Sequence, residues 1–210
     1  MSRSKSSSRW LQEHRSDFYV QKSKADGFRS RAVYKLMELD EKDRIIKPHQ
    51  NIIDLGAAPG GWTEYVSQKL KISEQDDKGC LIAVDILEMD PVADTTIIQG
   101  DFTEQVVLDQ VLELVDNQKM DVVLSDMAPN ISGLDSVDQP KAMYLAELAL
   151  DLCQQVLDPK GCFAIKLFHG VGMDEYTKLL RQTFKKVVFR KPSASRSRSR
   201  EVYAVCRGLK

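Results

Sequence analysis

Four carboxylates and one lysine stand in this chain where chemistry is easiest to build. Asp54, Asp85, Asp101 and Asp126 each end, or lie within a few residues of the end of, a short apolar run: NIID, CLIAVD, TTIIQGD and MDVVLSD. Any one of them alone reads as a cap or turn residue. Four at equivalent ends of adjacent strands surround a ligand, because ligands of open α/β sheets bind outside the carboxyl ends of the strands. Lys166 is the fifth group. It interrupts the apolar run GCFAIKLF, and a lysine inside a buried strand is costly unless it is paired or functional. The plainer alternative is a strand-end lysine whose ammonium reaches water. If Lys166 lies beside Asp126, neighbouring strands present an amine and a carboxylate together. An amine that acts on a hydroxyl needs its pKa, ordinarily ~10.4, brought down. A second cation nearby, such as Lys35, supplies that shift.

The stretch Asn51–Tyr65, NIIDLGAAPGGWTEY, joins these groups to a ligand. A β-branched run ending in Asp54 breaks into Gly56-Ala-Ala-Pro-Gly-Gly61 and re-enters a helix-like segment from Trp62. Strand, glycine turn and helix form the nucleotide-cradling corner of an open α/β sheet. The glycines do not read G-x-G-x-x-G, since Ala58 takes the middle place, which weakens a dinucleotide reading with pyrophosphate on the helix N-terminus. Asp85 follows Gly60 by 25 residues, about where such sites set a carboxylate on ribose hydroxyls. Four acids around one ligand favour hydroxyls, amino groups and positive charge. S-adenosylmethionine has a ribose diol, an adenine amine, an ammonium and a sulfonium. A dinucleotide with two phosphates meets repulsion there.

The elements that must position these groups alternate along the chain. Strands are expected over 52–55, 80–85, 95–98, 120–126, 161–168, 187–190 and 201–206. Helices are expected from Ser30 as N-cap to Leu39, over 62–70 and 103–116, from Pro140 to Leu157, and over 174–184. The pattern gives a doubly wound α/β sheet. The last two strands have no helix between them, so the last strand returns antiparallel.

Composition sets the frame. With 42% apolar and 29% charged residues, the chain is an ordinary globular protein. No apolar run approaches the roughly 18 residues that span a bilayer, and the start MSRSKSSSRW lacks the hydrophobic segment of a secretory signal. Cys80, Cys153, Cys162 and Cys206 are scattered, with no C-x-x-C, and read as reduced thiols of a cytoplasmic protein with no metal site. The net charge of −1 hides a segregation. Residues 1–35 carry nine Lys/Arg against three acids, and residues 181–210 carry ten against one. Two basic ends on an acidic body imply a polyanion bound where the ends meet. Trp10, Phe18, Tyr19 and Phe28 interleave with the first basic run and suit stacking on bases; Phe18 and Tyr19 equally suit pinning the arm to the domain. Residues 1–29 are expected as a basic, partly disordered arm and 30–210 as one domain.

DLGAAPGGW, SDMAPN, AIKLF and SRSREVYAV resemble the bacterial FtsJ/RrmJ (RlmE) family of 23S rRNA ribose 2′-O-methyltransferases, over about Ser30 to Arg207. The resemblance implies a Rossmann-like, S-adenosylmethionine-dependent methyltransferase fold of seven strands. It implies a Lys-Asp-Lys-Glu tetrad at Lys35, Asp126, Lys166 and Glu201, and donor-binding positions at Gly60, Trp62, Asp85, Asp101 and Asp126. It also implies a uridine in the A-loop of 23S rRNA as target, on the assembled 50S subunit, by a monomer without metal. Lys166 would take or polarise the hydroxyl proton, Asp126 would fix it, and Lys35 and Glu201 would orient the ribose. Arg196, Arg198 and Arg200 would hold phosphates beside Glu201. Relatives with the same tetrad act on tRNA or mRNA caps, so fold and tetrad do not choose the substrate. A tRNA ribose methyltransferase and a non-catalytic RNA-binding assembly factor are the alternatives.

Overall fold

The computed structural model describes residues 17–70 and 79–210. The Ser/Arg-rich start, Trp10 and the polar loop over 71–78 lie outside the described residues. Two helices come first, α1 (Phe18–Ala25) and α2 (Val33–Asp43), and then β1 (Ile52–Leu55), α3 (Gly61–Leu70), β2 (Leu81–Asp85) and β3 (Thr96–Gln99). The second half runs α4 (Gln105–Val115), β4 (Met120–Ser125), α5 (Asp135–Val156), β5 (Leu157–Phe168), α6 (Met173–Thr183), β6 (Phe184–Arg190) and β7 (Glu201–Leu209). The strands make one sheet in the order β3-β2-β1-β4-β5-β7-β6. Strands β1 to β5 pair in parallel, and β7 runs antiparallel between β5 and β6. A short loop between β6 and β7 permits only that return, because a parallel neighbour needs a crossover of a dozen residues or more. The expected seven-stranded plan with a reversed last strand is therefore the observed one.

Parallel strands covered on both faces bury every residue, and period two divides each strand between two layers. Ile52, Val122, Leu124, Ala164, Tyr203 and Val205 pack against Leu36 and Leu39 of α2 and Trp62 and Val66 of α3. Ile53, Leu55, Val123, Phe163 and Ile165 pack against Val107 and Val111 of α4, Leu150 and Cys153 of α5, and Leu180 of α6. By the same alternation Asp54, Lys166 and Glu201 fall on the α2–α3 face. The polar groups of interest are thus set by strand parity, all toward the first two domain helices.

Local differences from the expected elements have physical causes. Ser30 does not cap α2: the helix starts at Val33 with Ala32 before it and no side-chain cap, while the Ser30 carbonyl accepts from Val33 N at 3.4 Å. Helix α5 begins at Asp135, and Pro140 lies inside it. The Asp138 carboxylate gathers Ser132 N at 2.9 Å, Ser132 Oγ at 2.7 Å and Gly133 N at 2.9 Å, which winds the chain into helix before the proline. Within the basic arm, Phe18–Ala25 is helical, and Asp17 caps it through Tyr19 N and Val20 N. Tyr19 and Phe28 pack with Val33, Tyr34 and Ala194, so α1 lies on the domain.

Candidate active site

The order of the sheet reverses between β1 and β4, and a cavity of about 550 Å³ opens there, over the carboxyl ends of β1 to β4. Gly56 and Ala58, Asp85 to Leu87, Gly100 to Thr103 and Asp126 to Asn130 line it, with Lys141 and Tyr144 from α5. Asp85 is held by two backbone donors, Ala58 N and Leu87 N, each at 2.8 Å. Asp101 Oδ1 accepts from Thr103 N at 2.9 Å and Thr103 Oγ1 at 2.7 Å. Gly56 is required by the corner: its φ is +76°, and a Cβ would meet the Met127 backbone nitrogen at 2.7 Å. Both the left-handed angle and the close approach exclude a side chain.

Three of the four strand-end acids reach this cavity, and Asp54 does not. It is fully buried beneath the turn, with Oδ2 accepting from Thr63 Oγ1 at 2.7 Å and Oδ1 without a hydrogen-bond partner among the described residues. Burial pushes its carboxyl up to about 7, against the Thr63 hydrogen bond, with Asp126 and Asp85 adding to the rise. Gly60 and Trp62, expected at the donor, do not line the cavity either. Trp62 packs on Tyr203 with ring centroids 5.8 Å apart, and its indole N–H donates to the Ala32 carbonyl at 2.8 Å. Gly60 has φ +104°, and its N–H donates to the Ala57 carbonyl at 2.7 Å. The two residues shape the turn and the start of α2 from behind.

Lys35, Asp126, Lys166 and Glu201 come together at the edge of the cavity as two ion pairs. Lys166 Nζ stands 3.1 Å from Asp126 Oδ1 and also donates to the Asp126 backbone carbonyl. Lys35 Nζ stands 2.8 Å from Glu201 Oε1. Asp126 belongs to both groups, lining the cavity and pairing with Lys166. Its N–H donates to the Leu55 carbonyl at 3.0 Å, which pins it to the end of β1. Burial alone pushes the Asp126 carboxyl up, but Lys166, Lys35 and the Tyr203 hydroxyl outweigh it and hold it below the usual carboxylate range. Asp126 is a fixed anion.

Tyr203 joins the two pairs, and the sequence reading missed it. It is fully buried, is the cross-strand partner of Lys166, and donates its hydroxyl to Asp126 Oδ1 at 2.8 Å. The Lys35 ammonium lies 5.8 Å from its ring centroid. Burial, with Asp126 and Glu201 nearby, pushes the phenol well above its ordinary value, so it stays a donor. The available signal was the spacing Glu201-x-Tyr203, which puts both on one face of a strand. Ile86, Leu87 and Phe102, which also line the cavity, were missed although each directly follows a strand-end acid or its neighbour.

Helix α2 carries Lys35 and is clamped to the far end of the sheet. Glu38 accepts from Ser193 N at 2.8 Å, Ser193 Oγ at 2.6 Å and Ala194 N at 2.9 Å. Asp43 accepts two hydrogen bonds from Arg190, each 2.8 Å. These clamps and the Lys35–Glu201 pair fix the β6–β7 loop against the helix. Two arginines of that loop point to different partners: Arg196 turns to Asp17, and Arg200 pairs with Asp135 of α5.

A seven-stranded sheet with its last strand reversed and a carboxylate-lined cavity at the switch point define a Rossmann-like methyltransferase plan. Human methyltransferase-like protein 13, solved in complex with SAH, shares that fold, with a TM-score of 0.51 at 16% identity over 76% of this chain and 72% of that one. A Plasmodium falciparum structure, provisionally named a ribosomal RNA methyltransferase, aligns with a TM-score of 0.75 and 28% identity over 87% of this chain and 98% of its own. The chain belongs to the FtsJ-like methyltransferase family, whose model matches residues 28–209. Two curated relatives are named ribosomal RNA large subunit methyltransferase E. That of Marinobacter nauticus is 56% identical, covering 100% of this chain and 99% of its own. That of Chromohalobacter salexigens is 58% identical, covering 98% and 96%.

Proposed function

We propose that this chain transfers a methyl group from S-adenosylmethionine to the ribose 2′-hydroxyl of a uridine in the A-loop of 23S rRNA, within the assembled 50S subunit. The observation that carries the reading is the pairing of Lys166 with Asp126, 3.1 Å apart, at the rim of a cavity lined by Asp85 and Asp101. The names of relatives more than half identical over the whole chain support the large-subunit rRNA as substrate. Ribose, uridine and A-loop follow from the family resemblance of the tetrad motifs. The same reading makes the protein a cytoplasmic monomer with a basic arm over 1–29 and a single domain over 30–210.

The residues of the cavity fit the donor. Asp85 and Asp101, both oriented by backbone N–H groups, suit the ribose diol and an amine, and Ile86, Leu87 and Phe102 offer apolar surface to the adenine ring. The carboxylates also favour the cationic end of the molecule. When bound, the donor supplies an electrophilic methyl on a sulfonium, and a neutral thioether leaves with the electron pair of the broken C–S bond.

The chain's own groups do the rest. Lys35 and Glu201, held by α2 and the start of β7, orient the ribose. Lys166 takes or polarises the 2′-hydroxyl proton as the new O–C bond forms, and Asp126 with the Tyr203 hydroxyl fixes Lys166. A positioned base contributes about 10²–10⁴-fold, and alignment of the reactants adds to that. Gly60 and Trp62 act by holding the turn and the start of α2.

Transfer of labelled methyl to 50S subunits, free 23S rRNA and bulk tRNA offered in parallel, followed by nucleoside mapping, tests the reading. Label in 2′-O-methyluridine from 50S particles is expected. Label in tRNA alone overturns the substrate, and no label anywhere, with the donor bound, favours an assembly factor.

A further inference from the structure

The two basic ends of the chain meet in a second cavity of about 380 Å³, outside the tetrad, between Asp17, Tyr19, Arg31, Ser195, Arg196 and Arg198. Here the carboxylate of Asp17 serves two guanidinium groups. Arg31 pairs with its Oδ2, and Arg196 Nε lies 3.3 Å from the same atom. The Arg31 side chain is only 15% exposed. Its pKa is pushed down, first by burial and then by the Arg196 charge, with Glu201 opposing. One carboxylate between two partly dehydrated arginines leaves the pair short of negative charge.

Other groups around this cavity suit a tetrahedral anion. Ser195 lines it, and the buried Ser195 hydroxyl has no hydrogen-bond partner among the described residues. The Tyr19 hydroxyl is 3.1 Å from Ser193 Oγ, which ties the α1 wall to the loop wall. Arg31 also donates to the Ala194 carbonyl, so its guanidinium is held in the seam. The cavity adjoins the tetrad: Arg31 stands two residues before α2, the helix that carries Lys35, and it feels the charge of Glu201.

We infer that this cavity seats one backbone phosphate of the substrate strand flanking the target ribose, and that Asp17 is the stand-in anion the phosphate replaces. The inference rests on the RNA-methyltransferase reading above. Planar guanidinium forks bind phosphate in two-point fashion, which gives direction as well as charge. A strand gripped here and at the Lys35–Glu201 pair has its ribose orientation fixed on both sides. Asp17 keeps the arginines in place before RNA arrives, and caps α1 through its other oxygen.

The test compares Asp17→Asn and Arg196→Gln with the wild-type chain. Direct binding to deproteinised large-subunit rRNA is measured across a salt series, beside methyl transfer to 50S subunits, with thermal melts to check folding. Asparagine caps a helix as well as aspartate does, so Asp17→Asn changes charge and not the cap. It is expected to bind RNA about 3–10-fold tighter at low salt by removing a competing anion. Arg196→Gln is expected to bind about 5–20-fold weaker and to lower the slope of log K on log salt by about 0.7, one single-strand phosphate. KM should rise with kcat within about twofold, since uniform binding is lost. A purely structural Asp17 predicts the opposite, with RNA affinity unchanged or lower in Asp17→Asn, and that result overturns the proposal even if Arg196→Gln fails to fold. Methyl transfer by the wild type keeps the two readings apart. Its absence refutes the enzyme reading, whereas a normal rate with no change in the salt slope refutes only the phosphate seat.

Discussion

Asp54 gives the most quantitative consequence of this fold. Its carboxyl is buried beneath the glycine turn, with one hydrogen bond from Thr63 and a pKa raised from 3.8 to about 7, burial being the main cause. In the unfolded chain it titrates as an ordinary aspartate near 3.9. Between these values the native state holds a proton that the unfolded state lacks, so stability falls as pH rises. The contribution is fully present below about pH 4 and lost by about pH 7, at about 1.4 kcal/mol per unit. From pH 5 to pH 8 Asp54 therefore costs about 2–3 kcal/mol. Asp54→Asn keeps an oxygen for Thr63 and cannot ionise. Urea unfolding of both proteins at half-unit pH steps isolates the effect as a difference, with the other titrating groups cancelling. The wild type should lose stability relative to the variant up to about pH 7 and run parallel to it above. A difference that is flat from pH 5 to 8, or that grows in favour of the wild type with rising pH, refutes the protonated, buried Asp54.

Other consequences are more local. Tyr203→Phe removes the hydroxyl that donates to Asp126; a hydrogen bond to a charged group is worth about 1.5–3 kcal/mol, so kcat should fall about 10–100-fold in steady-state transfer. Gly56→Ala forces a Cβ onto the Met127 backbone at a φ of +76°, and should lower stability in denaturant titrations by about 1–3 kcal/mol while weakening donor binding. Asp85→Asn should raise the donor Kd by about tenfold, the loss of one charge-assisted hydrogen bond, and, since the amide leaves one of the Ala58 and Leu87 N–H groups without its acceptor, lower the thermal midpoint by about 2–4 °C in calorimetry.

The order of the elements and the Lys166–Asp126 pair were legible because each leaves a mark of local pattern, whereas the Lys35–Glu201 pair was not. Strands end in acids, Lys166 breaks an apolar run, and the last two strands lack a helix between them. Tetrad roles came from the resemblance of four motifs. What was not legible depends on packing across the sequence. Asp54 reads like Asp85 and Asp101, yet it lies inside β1, level with Ala83 and two residues short of Asp85 in the register, where Thr63 covers it. Trp62 looks like a ligand platform beside a glycine turn, yet its ring fills the core against Tyr203. Tyr203 itself gains meaning only through its antiparallel register with Lys166. Pro140 marks a helix start by propensity, but the Asp138 loop bonds carry the helix five residues further back.

The most direct test of the central claim is single-turnover methyl transfer to 50S subunits by the wild type and by Lys166→Ala, with donor and particle both saturating. The account predicts that the variant binds donor and RNA within about threefold of wild type but transfers about 10²–10⁴-fold more slowly. A rate within a few fold of wild type, with the same 2′-O-methylated nucleoside, contradicts it.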